Sequence, residues 1–250
     1  MEKNIFHDVC DLLTINIEPI FVFDGPDVPP KRNRKEHSRK VDYKKRALLK
    51  QILRGLDVHY IEALGEAEAE CCQLQSLGLV DAVWSQYSDC LMFGCGLWIR
   101  TPREANEGHS VNRNKGHTRK VKDMVRVVVV EDMRARFGLT RENCVLYAML
   151  AGGDYGKGLL GCGHTQAAKA AQSDLKLGSH LCEATNQDQC ATWRNEKLLP
   201  YLEKKKFRYT VPADFPNFEL FEAYNKPKVH AHEGHDNFSM LKLSQTTDAP

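Results

Sequence analysis

Apolar residues at Ile5, Phe6, Val9, Leu12 and Leu13 recur at the spacing of one helix face, so a helix is expected over Ile5 to Ile15. Pro19 then leads into Ile20 to Phe23, an unbroken apolar run of the kind found in strands covered on both faces. Gly25-Pro26 and Pro29-Pro30 break the chain, and a helix is predicted from Lys40 to Gly55. Val58 to Ala63 and Val80 to Trp84 read as strands on either side of a helix, Glu66 to Leu77, which Gly78 ends. Leu97 to Arg100 is a short strand and Val125 to Val130 a strongly β-branched one. Between them Thr101 to Lys122 is polar, basic and glycine-containing, the composition of a long loop. Glu131 to Phe137 and Glu142 to Leu150 return to helical spacing, and the signals beyond Asp154 are helices separated by glycine turns.

Strand and helix in alternation predict an α/β fold with a mostly parallel sheet over residues 1–150. A small helical region follows over 151–211, and a poorly ordered tail over 212–250. There is no internal repeat, no run long enough to span a membrane and no signal peptide at the start, so no membrane role is expected.

Charge changes this picture by its distribution rather than its sum. The net charge is only +2, yet Lys31 to Lys50 holds ten Lys/Arg against two acids and Arg113 to Arg126 six against one. One such run would read as a solvated helix face; several point to a polyanion as partner. The nine cysteines are odd in number and contain no Cys-x-x-Cys pair. They suggest buried thiols in a reducing compartment rather than a disulfide framework or a zinc module. His230, His232 and His235 have metal-binding chemistry but no strand or turn signal around them, so a polar tail is expected there.

The acids are the densest chemical signal. Gly65-Glu66-Ala67-Glu68-Ala69-Glu70 opens a helix, Asp24 closes the apolar run at Phe23, Asp89 follows the Val80 strand, and Asp154 follows Gly152-Gly153. In a parallel α/β sheet, ligands gather at the carboxyl ends of the strands. A helix macrodipole would account for one or two acids at its start but not for acids on four segments. Clustered carboxylates call for a hard divalent cation such as Mg²⁺. Glu66 and Glu68 can converge only if Glu66 lies before the regular helix, since residues two apart on a helix point to nearly opposite sides. Two metals ~4 Å apart can cleave a phosphodiester, which agrees with the basic segments. The rival reading of Asp24 as a phosphatase nucleophile wants a second acid two residues on, where Pro26 stands instead. Lastly, Gly158-Leu-Leu-Gly161-Cys-Gly163 opens a small-residue helix, a turn suited to approaching a phosphate backbone.

Four motifs occur in this order: Val22-Phe23-Asp24-Gly25-Pro26, Gly65 to Cys71, Asp89-Cys90-Leu91-Met92-Phe93-Gly94, and Gly153-Asp154-Tyr155 with Gly158, Gly161 and Gly163. Together they resemble the XPG/flap structure-specific endonuclease family over roughly residues 5 to 225. Pro29-Pro30-Lys31-Arg32-Asn33-Arg34 looks most like its fungal Holliday-junction resolvase branch. The resemblance implies a PIN-like nuclease core, a helix-two-turn-helix element, two Mg²⁺ or Mn²⁺ ions, and cleavage of branched DNA in nuclear repair and recombination, with a dimer on a four-way junction. It assigns Asp24, Glu66, Glu68, Asp89 and Asp154 to catalysis and metal binding. It assigns Lys31, Arg32, Arg34, Lys35 and the glycines 158, 161 and 163 to DNA.

Three departures set against it a second expectation, a truncated relative with weak or no cleavage that at most binds branched DNA. Tyr87 stands where the family carries another aspartate two residues before Asp89, so the second ion would be held poorly. The chain also opens beyond the family's first strand and the aspartate on it, and it lacks the further C-terminal region of the resolvases.

Overall fold

Residues 2–32, 37–101, 125–173, 175–207 and 210–231 are described in this computed structural model, the side chains of 2–4 and 37–43 excepted. Two units divide the chain between them. The first comprises 1–71, 153–156 and 226–250; the second comprises 72–152 and 157–225. Arg34, Lys35, the loop expected over 101–122 (from 102 onward), His232 and His235 lie outside the described residues.

In the first unit, α1 (Glu2–Thr14) presents Val9 to Leu53 of α2 (His37–Gly55) and to Val58 and Tyr60, with Ile5, Phe21, Phe23, Leu49 and Leu56 packed around them. β1 (Phe21–Phe23) and β2 (Tyr60–Glu62) pair in parallel, Phe21 opposite Tyr60 and Phe23 opposite Glu62. Tight apposition continues beyond the strands. Gly25 donates its N–H to the carbonyl of Gly65 at 2.8 Å, and a Cβ on Gly25 would lie 1.9 Å from the carbonyl oxygen of Ala63. Only glycine fits there. The basic character of α2 is partly structural: the Arg46 guanidinium lies 5.0 Å from the Phe23 ring and donates to the Asp24 carbonyl at 2.6 Å, while Lys50 pairs with Glu62.

The second unit carries β3 (Val83–Trp84), β4 (Leu97–Arg100) and β5 (Arg126–Val129). β3 and β4 run parallel, β4 and β5 antiparallel, with Trp98 opposite both Val83 and Val128. Described strands therefore form two small sheets, within the mixed α/β class that the alternation predicts. The strand expected from Val80 shrinks to two residues, because the Gln75 amide takes the Asp81 carbonyl that a ladder would have used. A helical core follows. α4 (Val130–Phe137) ends on Gly138 in the left-handed conformation, and α5 (Arg141–Ala151) starts on Thr140, whose hydroxyl accepts the Asn143 N–H. α6 (His164–Ala171) and α7 (Leu177–Cys182) pack on α5, and Ala167, Leu177 and Leu181 are buried, as are Val145, Leu146 and Leu150 of α5. α8 (Gln187–Trp193) and α9 (Leu199–Lys204) continue the layer.

The tail expected from 212 does not hold as far as residue 231. Phe218–Asn225 is a helix, α10, with Phe221 and Tyr224 buried, and the Arg141 guanidinium donates to the carbonyls of Tyr224 and Asn225 at its end. Polar neighbours masked the recurrence of Phe215, Phe218, Phe221 and Tyr224 at three-residue spacing. All nine cysteines are free thiols; Cys72, Cys90, Cys95, Cys162 and Cys190 are buried and fill space as small apolar groups.

Candidate metal centre

Three separated segments of the first unit converge at the start of α3 (Ala67–Ser76). Asp24 ends β1, and its Oδ1 accepts the Ala67 N–H at 3.1 Å, capping the helix from 43 residues away. The carbonyl of Glu66 accepts the Glu70 N–H at 3.2 Å, so Glu66 is the residue on which the helix begins, outside its regular turns. That is the position its convergence with other acids required. The Gly25–Gly65 apposition makes this possible: it draws the end of β1 onto the residue just before Glu66.

Glu66 is only 3% exposed, and its carboxylate meets a charge. Lys31 Nζ lies 2.5 Å from Glu66 Oε1 and 3.2 Å from Asp154 Oδ2. Asp154 arrives through the segment 153–156, fixed where the Arg32 N–H donates to the Asp154 carbonyl at 2.9 Å. Burial by itself would lower the Lys31 pKa. The hydrogen bonds and charges of Glu66 and Asp154 outweigh it and hold the ammonium above the ordinary lysine value.

Glu68 lies half-buried in the first turn of α3, two residues beyond Glu66. Glu70, the third acid of the run, is fully buried, and its role was not foreseen. Its Oε2 accepts the backbone N–H of His230 and its Oε1 meets His230 Nδ1, both at 3.1 Å. Lys228, two residues earlier, reaches Asp27 at 3.1 Å, and a Cβ on Gly65 would come within 2.9 Å of the Lys228 carbonyl. The segment 226–231 thus straps the acid-bearing turn. The only sequence signal was a third acid in register with Glu66, whose partner lies 160 residues away.

Asp89 belongs to the second unit. It sits half-buried in a short 3₁₀ helix, Ser88–Leu91, and its carbonyl accepts the N–H groups of Met92 and Phe93. Tyr87, at the N-terminus of that helix, is 58% exposed. The glycine turn also lies in the second unit. Gly158 has φ +70°, and a Cβ there would come within 2.4 Å of the Gly152 nitrogen; Gly161 has φ +84°, and Gly163 starts α6. On α6, His164 Nδ1 meets the Tyr147 hydroxyl at 2.7 Å. Of the basic residues assigned to DNA, Lys31 is turned onto the acids and Arg32 is exposed.

The donor set is carboxylate oxygen from several segments, the class that hard divalent ions take. A cationic group already lies within contact distance of two of these oxygens. The residues present therefore fit a Mg²⁺ or Mn²⁺ ion. Among the described residues no ready-made group of three or more His, Cys, Asp or Glu closes on one point. The ammonium, rather than a third acid, completes the pairing of Glu66 with Asp154.

A PIN-like α/β nuclease fold, with carboxylates at a strand end and a helix start, is the class this arrangement defines. The XPG N-terminal domain matches residues 2–47 and the XPG I-region residues 57–154, together more than half of the chain. The chain belongs to the XPG family. Over 185 residues it is 28% identical to the DNA repair protein RAD2 of Saccharomyces cerevisiae, covering 72% of this chain and 16% of that protein. It is 24% identical over 286 aligned positions to flap endonuclease 1 of Archaeoglobus fulgidus, covering 98% and 81%. Among solved structures, the eukaryotic junction-resolving enzyme GEN-1 superposes with a TM-score of 0.71 at 28% identity, covering 99% of this chain and 56% of that one. The Holliday junction-resolving enzyme GEN1 with product DNA, Mg²⁺ and Mn²⁺ gives 0.68 at 28% identity, covering 99% and 54%. The chain thus spans between about a sixth and four fifths of the length of these proteins.

Proposed function

We propose that this chain is a divalent-metal-dependent endonuclease acting on branched DNA, a flap or a four-way junction, in nuclear repair and recombination. The observations that carry the reading are that Asp24 caps the helix start on which Glu66 lies, and that Glu66 and Asp154 share the Lys31 ammonium. Asp24, Glu66, Glu68 and Asp154 would hold the ion. The family motif assigns Asp89, in the second unit, to metal binding as well. A bound ion of this kind supplies Lewis-acid stabilisation of charge on phosphodiester oxygens.

The protein's own part is to place and insulate that charge. Glu66 is withdrawn from water, which strengthens its attraction for any cation beside it. Asp24 is fixed by the Ala67 N–H, so its carboxylate is held in one orientation. The turn at Gly158, Gly161 and Gly163, followed by α6, is the proposed helix-two-turn-helix element over 151–211. There backbone N–H groups meet the phosphates of one duplex arm. Arg32, Arg34 and Lys35 would line the path of the DNA. The GEN1 and Rad2 structures solved with DNA support DNA as partner, and a dimer on a four-way junction extends that proposal.

Glu66→Gln and Asp154→Asn test it. Each should lower single-turnover cleavage of a flap or four-way junction in Mg²⁺ by about a hundredfold or more, the scale for losing one preorganised electrostatic group. DNA binding in Ca²⁺ should persist. Undiminished cleavage in both variants would remove these acids from the reaction. The second reading, a branched-DNA binder with weak cleavage, draws on exposed Tyr87 in the place of an acid. Wild-type binding without measurable cleavage at saturating Mg²⁺ selects it.

A further inference from the structure

Lys31 belongs to a run whose composition suits a polyanion, yet its ammonium lies on the acidic centre. The geometry around it has two independent parts. The ammonium contacts Glu66 Oε1 at 2.5 Å and Asp154 Oδ2 at 3.2 Å. The backbone beside it is anchored separately, through the Arg32 N–H on the Asp154 carbonyl at 2.9 Å. Four methylenes separate the anchored backbone from the charge. Rotation of the side chain alone can therefore withdraw the ammonium while the peptide contact stays in place.

Glu66 explains why a cation is required there at all times. Its carboxylate is 3% exposed, and a buried carboxylate without a counter-charge is unfavourable. Asp154 is about half exposed and would be satisfied by water. The pairing is therefore asymmetric: Glu66 needs the ammonium more than Asp154 does.

The geometry points to Lys31 as a resident counter-ion of the centre, which neutralises Glu66 and Asp154 in the metal-free protein and must withdraw when a divalent ion takes those two oxygens. This rests on the reading of Glu66 and Asp154 as metal ligands. Two consequences follow. Lys31 lowers the affinity of the centre for metal, because the ion has to displace a bound charge. Metal loading also frees the amine from its two carboxylates. Lys31 is thus a positioning residue for the metal-free state.

Mg²⁺ titrated calorimetrically into the full chain tests this without any turnover. Lys31→Met should bind Mg²⁺ about tenfold tighter than wild type, ~1.4 kcal/mol. Lys31→Arg, which keeps the charge, should stay within about twofold of wild type. In EDTA, Lys31→Met should melt below wild type and should gain more on addition of Mg²⁺. A second measurement needs no variant. In wild type, the rate of Lys31 acylation by a small amine reagent, read by mass spectrometry, should rise severalfold on Mg²⁺ saturation as the amine leaves its carboxylates. Equal Mg²⁺ affinity in wild type and Lys31→Met, or acylation unchanged by Mg²⁺, overturns the counter-ion role while leaving the ligand reading intact. If Glu66→Gln and Asp154→Asn leave wild-type Mg²⁺ binding unaltered, the ligand reading falls, and the counter-ion role with it.

Discussion

The two units handle charge in opposite ways. The first buries Glu66 and Glu70 and holds each with a partner drawn from a distant segment, Lys31 for one and the strap at His230 for the other. Among its described residues an apolar cluster is built on Val9, Leu53, Val58 and Tyr60. The second unit buries Val145, Leu146, Leu150, Leu177, Leu181 and Leu198 between helices, and among its described polar residues only Asn225 is buried. Charge is thus gathered in the first unit, where it costs stability and offers chemistry. The second is held chiefly by apolar packing, with Arg141 tying the end of α10. Buried charges need long-range partners because water is excluded from them; apolar helices need only shape and volume.

That contrast can be broken by substitution. Leu146, fully buried on α5, should carry the largest effect on stability. Leu146→Ala should destabilise the protein by about 2–5 kcal/mol in chemical denaturation, with Mg²⁺ affinity unchanged. Altered metal binding in that variant would show that the helical core shapes the acidic centre. Glu70→Ala tests the reverse. Losing the acceptor of the His230 N–H should cost about 1–3 kcal/mol. Amide hydrogen exchange should quicken at Ala67–Cys71 and Lys226–Ala231 and stay slow across α5 to α7. Uniform quickening would dissolve the distinction between the units.

The smallest effect is a pH dependence within the second unit. Burial would raise the Glu142 pKa, but the Thr140 hydroxyl, the amide at the helix start, and Arg141 and Arg134 together hold it below the ordinary glutamate value. A depressed folded pKa adds stability that is present above the unfolded value of ~4.3 and is lost as pH falls through the folded one. Glu142→Gln should therefore flatten the decline of stability below pH ~4.3 and change little at neutral pH. An unaltered acid limb in thermal melts would mean that Glu142 titrates alike in the folded and unfolded chain.

Much of the architecture was legible because it is local. The helices of Glu2–Thr14, Ala67–Ser76, Val130–Phe137 and Arg141–Ala151 fall close to their apolar periodicity, and Leu97–Arg100 is a strand to the residue. The placing of Asp24 and Glu66 about one helix start was also legible, because each follows an apolar element and stands beside glycine. The pairing of Lys31 with Glu66 was not, since a lysine after Pro29-Pro30 reads the same whether it meets water, phosphate or a carboxylate. Nor was the Glu70–His230 contact, which joins an acid in a dense acidic run to a histidine in a polar stretch.

The sequence by itself determined where most of the helices lie and that acids cluster at element ends, and by resemblance that the chain carries the XPG motifs in order. The first two are matters of periodicity and spacing, settled by neighbours within a few residues. Only the tertiary structure decided which acid faces which cation. It placed Asp24 on the Ala67 amide, Lys31 between Glu66 and Asp154, and His230 on Glu70. The physical reason is that electrostatic partners are chosen by distance and exclusion of water. Both are set by how backbone approaches backbone at places such as Gly25 and Gly65, far apart along the chain.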